Sequence, residues 1–471
     1  MPSRGALYIL VFLVSLLICA RSRSRGLRQG ALLVGCYAVY MTWGSWFLAV
    51  LAGSTLMNFL LGRWIRRSPT RFALAVGIAL NIVVLGTFKY LPESAVSLPF
   101  SSLQAFAHLA LPLGISFWTF QAMSYLFDLY REEELDPTLA EFAIYMAFFP
   151  VVISGPVCRL PDMLPQFRSD SRTQTDAIGR GLTRIATGVL MMQIARLLGQ
   201  GILSGDGINS GFDRATTWGG TDVWCLAFGY GLQLFFDFAG YSHIAIGAAQ
   251  ALGFTVPENF DRPFTSTTPS VFWTRWHMSL SFWIRDYVFL PLAVLRREVW
   301  WRNLALVIAM VLFGAWHKAT WLFVLWGAYH GVLLVAHRLI QSAQRKYNWN
   351  PGEGLWTPLS WAATMLAVNF GWIFFRANSW EQAQRMLIAA VSPGTYSTHS
   401  LSDTLYALVF AIAFGYAIIL MLADTLHKQQ SALSSNRWLW LPAVYIVVLL
   451  LVLGMTYTRG ADAAQFMYRN F

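Results

Sequence analysis

The chain has 471 residues, of which 56% are hydrophobic and only 12% charged, about half the charge of an ordinary soluble domain; that much apolar surface excludes a soluble globular protein. A net charge of +11 does not point to nucleic acid, because the basic residues form short clusters between apolar runs, first Arg21, Arg23, Arg25 and Arg28, then Arg63, Arg66, Arg67 and Arg71. This is the lysine and arginine bias of cytoplasmic loops facing anionic lipid.

In chain order, residues 5–20 form a first apolar span, retained because it lacks a basic start and a small-residue cleavage site. The stretch 29–62 is too long for one crossing at 1.5 Å per residue. A break near Gly44-Ser45 lets both of its basic flanks face the cytoplasm. Further apolar segments follow at 71–89, 103–130 and 139–157, then a polar basic loop at 159–176, a span at 182–204, a Gly-rich loop at 205–222 and an apolar stretch from Val223 to Phe254. Residues 256–300 mix Trp, Phe, Arg, Asp and His too closely for a lipid-facing span yet are too aromatic for a free loop. An interfacial or re-entrant helical segment fits them. Spans resume at 302–316, 319–341, 357–375, 404–424 and 437–456. The reading is all-α, a single integral membrane domain over 1–471 with about ten to twelve spans. The 21 Trp, 34 Phe and 18 Tyr suit an aromatic belt and a packed interior. Cys19, Cys36, Cys158 and Cys225 lack paired spacing, so neither a metal site nor a disulfide framework is expected.

Ionisable and polar residues inside apolar segments are functional candidates, since burying them is costly unless they face partners or a cavity. His317 lies in a long apolar stretch behind a small-residue break at Gly314-Ala315, where a neutral imidazole can take a proton from a hydroxyl and return it to a leaving group. A structural histidine bonded to a neighbouring helix is the plainer alternative. His277 lies in FWTRWHMSLSFWIRDY; if that stretch is helical, His277, Ser281 and Arg285 share one face, with Arg275 and Asp286 on others. Such a stripe suits an entrance or an anionic group, or simply the wet side of an interfacial helix. Asp237 and Tyr241, in FFDFAGYSHIAIGAA, share a helical face that His243 does not. Gln121, Ser124, Tyr125 and Asp128 line an interior path or glue helices together. Gly155-Pro156 breaks a helix where neighbouring protein must satisfy the backbone. His330 and His337 can share a face of the following helix, while His108, His399 and His427 lie near segment ends or in loops.

The runs PLGISFWTFQAMSYLFDLYR, FFPVVISGPVCR, LQLFFDFAGYSHIAIGAAQALGF, ENFDRPFTSTTPSVFWTRWHMSLSFWIRDYVFLPL and GAWHKATWLFVLWGAYHG together resemble the membrane-bound O-acyltransferase family. The resemblance covers residues 30–375. The bacterial alginate O-acetyltransferase branch is nearest, and the teichoic-acid D-alanylation branch is a cousin. It implies a ring of transmembrane helices with interfacial or re-entrant helices around a central funnel in the bacterial cytoplasmic (inner) membrane. It also implies catalytic roles for His317, on the tryptophan-histidine motif, and His277, on the arginine-tryptophan-histidine motif. Many relatives have glycine after the first of these histidines; here Lys318 follows it, and with Arg275 and Arg285 it becomes a candidate for donor phosphates. The implied donor is acetyl-CoA, with an acyl carrier protein as the alternative, and no cofactor is held permanently. The implied partner is an extracytoplasmic SGNH-type acetyltransferase or a polysaccharide synthesis or export complex, and the acceptor an exopolysaccharide of alginate or cellulose type, peptidoglycan, teichoic acid or a partner's serine. A transporter or acyl-group flippase is the competing class, and it predicts an inverted repeat that the sequence does not display.

Overall fold

A computed structural model describes residues 4–92, 109–202, 205–214, 217–349 and 354–433. Among these the long elements are all helices, and the β pairing is one isolated antiparallel bridge, Phe260 to Trp276. Seven helices of the described residues are long and apolar enough to cross a membrane: Ser45–Arg67, Arg71–Lys89, Gly220–Ala251, Val299–His317, Trp321–Lys346, Trp356–Arg376 and Asp403–Leu422. The span expected at 437–456 lies outside the described residues. The one expected at 182–204 is a helix over Thr175–Gln200 that carries Arg180, Arg184 and Arg196 and is not among the seven.

The helices divide into two compact units. The first takes the chain up to Ile185, then Tyr241–Pro263 and Ser270–Ala309. It opens with α1 (Arg4–Arg21) and α2 (Arg25–Met41), whose first turn is capped by the Ser24 hydroxyl accepting from Leu27 N–H. The expected break falls at Gly44, where φ is 145°, and α3 (Ser45–Arg67) follows at once. Thr70 caps α4 (Arg71–Lys89). Asn58 and Asn81, both fully buried, exchange amide hydrogen bonds of 3.2 and 2.7 Å between α3 and α4, the polar glue that replaces hydrophobic driving force in lipid.

Helix α5 (Ile115–Tyr130) is wrapped in protein, since from Ile115 to Leu129 every residue but Phe127 is buried. The apolar run at 139–157 is not a span. Helix α6 (Leu139–Ala147) stops after nine residues, and the chain continues as turns to Arg159 before α7 (Leu160–Arg168). That irregular stretch is buried but bonded: Val151 and Val152 N–H donate to Phe148 O and Gly155 N–H to Val151 O, as backbone at membrane depth requires. Glu141 anchors the start of α6. It completes a capping box with Thr138, accepts from Arg25 at 2.7 Å and takes two bonds of 2.9 Å from Arg168. Burial opposes its charge, yet the Arg168 and Thr138 bonds hold its carboxyl down at about 2.

The second unit takes Ala186–Gly240, Phe264–Pro269 and the chain from Met310. Between α8 (Thr175–Gln200) and α10 (Gly220–Ala251) lies the short α9 (Ile208–Arg214). Residues 263–293 form short pieces, none long enough to span: a 3-10 turn at Pro263–Thr265, α11 (Pro269–Arg275), α12 (Met278–Ile284), a π-turn at Arg285–Phe289 and α13 (Leu290–Ala293). Then come α14 (Val299–His317), α15 (Trp321–Lys346), α16 (Trp356–Arg376), α17 (Trp380–Val391) and α18 (Asp403–Leu433). At the start of α10 the buried Asp222 carboxylate accepts from Gly219 N–H, from the Ser400 N–H and hydroxyl, and from the Tyr406 hydroxyl. This ties the 399–406 segment to α10.

Candidate active site

His317 ends α14. The helix runs unbroken through Gly314-Ala315, so these small residues are not the break the sequence suggested. They allow close packing instead: a Cβ on Gly314 would lie 2.1 Å from Phe323 O, and one on Gly327 would lie 2.2 Å from Met310 O. Only glycine permits α14 and α15 to approach backbone to backbone there. The chain turns at Lys318–Thr320 and α15 begins, which brings Phe323 and Trp326 back onto the histidine.

The His317 ring is 4% exposed and sits among five aromatic rings. Centroid distances are 4.7 Å to Trp316, 5.1 Å to Phe313, 5.2 Å to Phe375, 5.6 Å to Trp326 and 6.2 Å to Phe323. Trp326 and Phe375 meet it nearly edge-on. This cage fixes the ring by packing and excludes bulk water. Trp326 also contacts His330 at 5.0 Å. His330, 1% exposed, is further packed against Tyr329 and Trp372, with room made by Gly371, whose Cβ would lie 2.7 Å from His330 Nε2. The sequence places His330 with His337 on one face of the following helix, without a functional role. The signal available was its position four residues after Trp326, on the same helical face. Lys318 is exposed.

His277, in the first unit, is built differently. The helix expected through it is interrupted: His277 has φ 43° and ψ 52°, the left-handed region, and caps α12. The expected stripe of His277, Ser281 and Arg285 therefore does not form on one continuous helix. His277 O accepts from Leu280 and Ser281 N–H, while the Ser281 hydroxyl turns back to Trp276 O. The His277 ring is 1% exposed. Its flanks are pinned to residues 259–261: Met278 N–H donates to Asn259 O at 2.8 Å, Asp261 N–H to Arg275 O at 3.0 Å, and Phe260 bridges Trp276. Asn259, unflagged by the sequence, is fully buried.

At the other end of this segment the π-turn, a form common at functional sites, presents Arg285, Asp286 and Tyr287. Asp286 accepts from Arg159 at 2.7 Å and Arg285 at 2.6 Å, and its carbonyl accepts from Arg131 at 2.8 Å. Although burial opposes its charge, the Arg285 and Arg159 guanidiniums hold the Asp286 carboxyl below the usual carboxylate range. The Arg131 and Arg159 guanidiniums both lie over the Tyr287 ring, at 5.2 and 5.1 Å, and the Tyr287 hydroxyl donates to Asp128 at 2.7 Å. The structure thus joins two predicted residues, Asp128 and Arg285, in one cluster and adds Arg131, Arg159 and Tyr287. Arg285 and Asp286 were expected on different faces; they form an ion pair.

Gln121 is buried, and its carbonyl accepts from Ser124 and Tyr145 hydroxyls. Asp237 is buried and Tyr241 half-buried on α10, the latter bonded to Ser154 backbone. His243 lies near the Arg184–Glu258 ion pair. Arg275 is half-buried, with its carbonyl taken by Asp261. Among the described residues no cluster of His, Cys, Asp or Glu is arranged to hold a metal ion.

A profile of the MBOAT, membrane-bound O-acyltransferase family matches residues 99–374. The chain is 35% identical over 393 residues to the probable alginate O-acetylase AlgI of Pseudomonas aeruginosa, covering 80% of this chain and 72% of that protein. It is 28% identical over 484 residues to the peptidoglycan O-acetyltransferase of Helicobacter pylori, with 92% and 89% covered. Against the teichoic acid D-alanyltransferase of Bacillus subtilis identity is 32% over 285 residues, with 56% and 68% covered. The match takes in α5, the segment around His277, the α14–α15 turn at His317 and most of α16. A helical multi-pass membrane protein of the bacterial inner membrane, the chain belongs to the membrane-bound O-acyltransferase family and is an O-acyltransferase.

Proposed function

We propose that this O-acyltransferase moves an acetyl group from a cytoplasmic thioester, acetyl-CoA or an acyl carrier protein, to a hydroxyl presented from the extracytoplasmic side, and that His317 is its general base. The observation that carries the reading is the aromatic cage: a histidine at a helix end, 4% exposed and held by five rings, is fixed in orientation and shielded from hydrolytic water. In the proposed reaction the imidazole takes the proton of the acceptor hydroxyl as its oxygen attacks the thioester carbonyl. The tetrahedral intermediate then collapses, the C–S bond breaks, and the imidazolium returns the proton to the leaving thiolate.

His277 contributes to the same transfer in this reading, and the basic residues around the π-turn hold donor phosphates. The sequence offers Arg285, Arg275 and Lys318 for that task. The ion pairs that both Arg285 and Arg159 make with Asp286 shift the weight to Arg131, exposed beside the cluster. A ring of ten to twelve spans with a central funnel gives the two substrates access from opposite faces, so neither must cross. The acceptor is an exopolysaccharide such as alginate, or a serine of an SGNH-type partner that passes the group on; the alginate acetylase relatives favour this class. Release of label from radioactive acetyl-CoA by wild-type protein and His317→Ala, with and without acceptor, tests the reading. Equal turnover in both rules out His317 as the base.

A further inference from the structure

We infer that Asn259 is a positioning residue for His277, holding that histidine in its left-handed backbone conformation; this rests on the reading that His277 serves the acyl transfer. Residues with a Cβ rarely occupy that region and stay there only when their surroundings over-determine it. Here the surroundings are specific. The Asn259 carbonyl accepts from Met278 N–H at 2.8 Å, immediately after the strained residue. Its side chain fixes that carbonyl from both ends. Oδ1 accepts from the Ser279 hydroxyl at 2.6 Å, and Nδ2 donates to the Ser242 hydroxyl at 3.0 Å. The chain of bonds ends at Val157 N–H, which donates to Ser279 Oγ at 3.0 Å. Asn259, Ser242 and Ser279 are 0%, 2% and 6% exposed, so water cannot readily replace a lost member. One carboxamide therefore links α10, the buried 148–159 stretch and α12 to the backbone on either side of His277. The Phe260–Trp276 bridge, with its rings edge-on at 5.1 Å, closes the other flank.

A purely structural Asn259 would affect stability alone. A positioning Asn259 acts through His277, and two measurements separate the cases. The first uses full-length protein in lipid nanodiscs with radiolabelled acetyl-CoA as the probe, comparing Asn259→Ala and the milder Ser279→Ala, each alone and combined with His277→Ala. Misplacing a reacting group by about 1 Å costs up to roughly 100-fold. We expect kcat to fall about 10- to 100-fold with the acetyl-CoA KM within about 2-fold, and no further fall once His277 is already Ala. Asn259→Asp, which keeps the acceptor for Ser279, recovers part of the loss. Equal losses in both backgrounds, or no loss in either variant, overturn the inference. Unchanged turnover in His277→Ala alone overturns the role of His277 instead.

The second measurement does not need turnover. Diethyl pyrocarbonate modification of His277, followed by peptide mass spectrometry, reports whether the ring stays shielded, and His330, equally buried in the other unit, serves as the control. Faster modification of His277 in Asn259→Ala, with His330 still protected, supports the inference. Unchanged modification, or equal gains at both histidines, counts against it.

Discussion

The two histidines proposed to serve the transfer are held by opposite means. His317 ends a regular helix and is fixed by rings packed on nearly every side. His277 interrupts a helical stretch, occupies a strained backbone region, and is fixed by hydrogen bonds to its flanking peptides. Packing sets a side chain's rotamer and its dielectric surroundings. Hydrogen bonds to flanking peptides set the direction in which the Cα–Cβ bond leaves the chain. The first device tolerates small shifts by repacking and fails when a large ring is removed; the second fails when one polar atom is lost.

The largest effect should come from the chemistry itself. Removing a general base typically costs about 100- to 10,000-fold, so His317→Ala should lower acetyl transfer by at least about 100-fold without changing the thermal unfolding midpoint greatly. His277→Ala should cost less, and a reversed order would overturn the ranking. Gly314→Leu attacks the same site from its scaffold. A side chain there meets Phe323 O at 2.1 Å, which no rotamer avoids, so α14 and α15 must separate. Little folded protein should survive size-exclusion chromatography, whereas a serine at the less crowded Gly53, where nothing lies within 4 Å, should leave the yield unchanged.

The cage can be probed ring by ring. Trp326 is 1% exposed and touches His317, His330, Phe313, Trp372 and Phe375, so Trp326→Ala should destabilise by about 3–5 kcal/mol. Trp326→Phe should recover most of that stability. If transfer recovers with it, packing is what the cage supplies; if transfer stays low while stability returns, the indole has a part of its own. On the His277 side the decisive groups are hydroxyls and amides, and the Asn259 and Ser279 variants are the corresponding probes.

Away from both histidines, Glu141 gives a graded, pH-dependent test of the polar half. Its carboxyl is buried and held at about 2 by Arg168 and Thr138 against the cost of burial. A carboxylate with a depressed folded pKa adds stability that is complete above its unfolded value, about 4.3, and is lost as pH falls through the folded value. Wild-type protein should therefore lose stability between about pH 4.5 and pH 2. Glu141→Gln should be less stable at neutral pH by about 2 kcal/mol, below the usual figure for a buried pair because both arginines are part-exposed, and should lack that acid-dependent step. Parallel acid profiles for the two proteins would show that another carboxylate governs the transition.

The contrast between the two sites also explains what the sequence made legible. Break residues and apolar runs are local, so the division at Gly44 and the extents of α4 and α14–α16 follow from the chain itself. His317 stood out for the same reason, as an ionisable residue inside an apolar run. What sequence periodicity missed was long-range. The apolar run at 139–157 reads as a span, yet its second half is irregular chain that is bonded in part to distant Ser279 and Cys36. A helix drawn through His277 ignores Asn259, eighteen residues earlier, whose carbonyl takes the Met278 N–H. Asn259 carries no local mark, because its partners Ser242 and Ser279 are close only once the chain has folded.

The smallest effect belongs to Lys318. It follows His317 directly but is exposed on the turn before α15, outside the aromatic cage. An exposed ammonium acts at range and is screened within about 10 Å at 0.1 M salt. Lys318→Ala should therefore raise the KM for an anionic donor about 3-fold at low ionic strength, leave kcat unchanged, and lose its effect near 0.5 M salt. A change in kcat that persists in high salt would mean that the lysine contacts the reacting groups. That would extend the His317 site beyond its cage of rings and bring its construction closer to the charge-bonded design around His277.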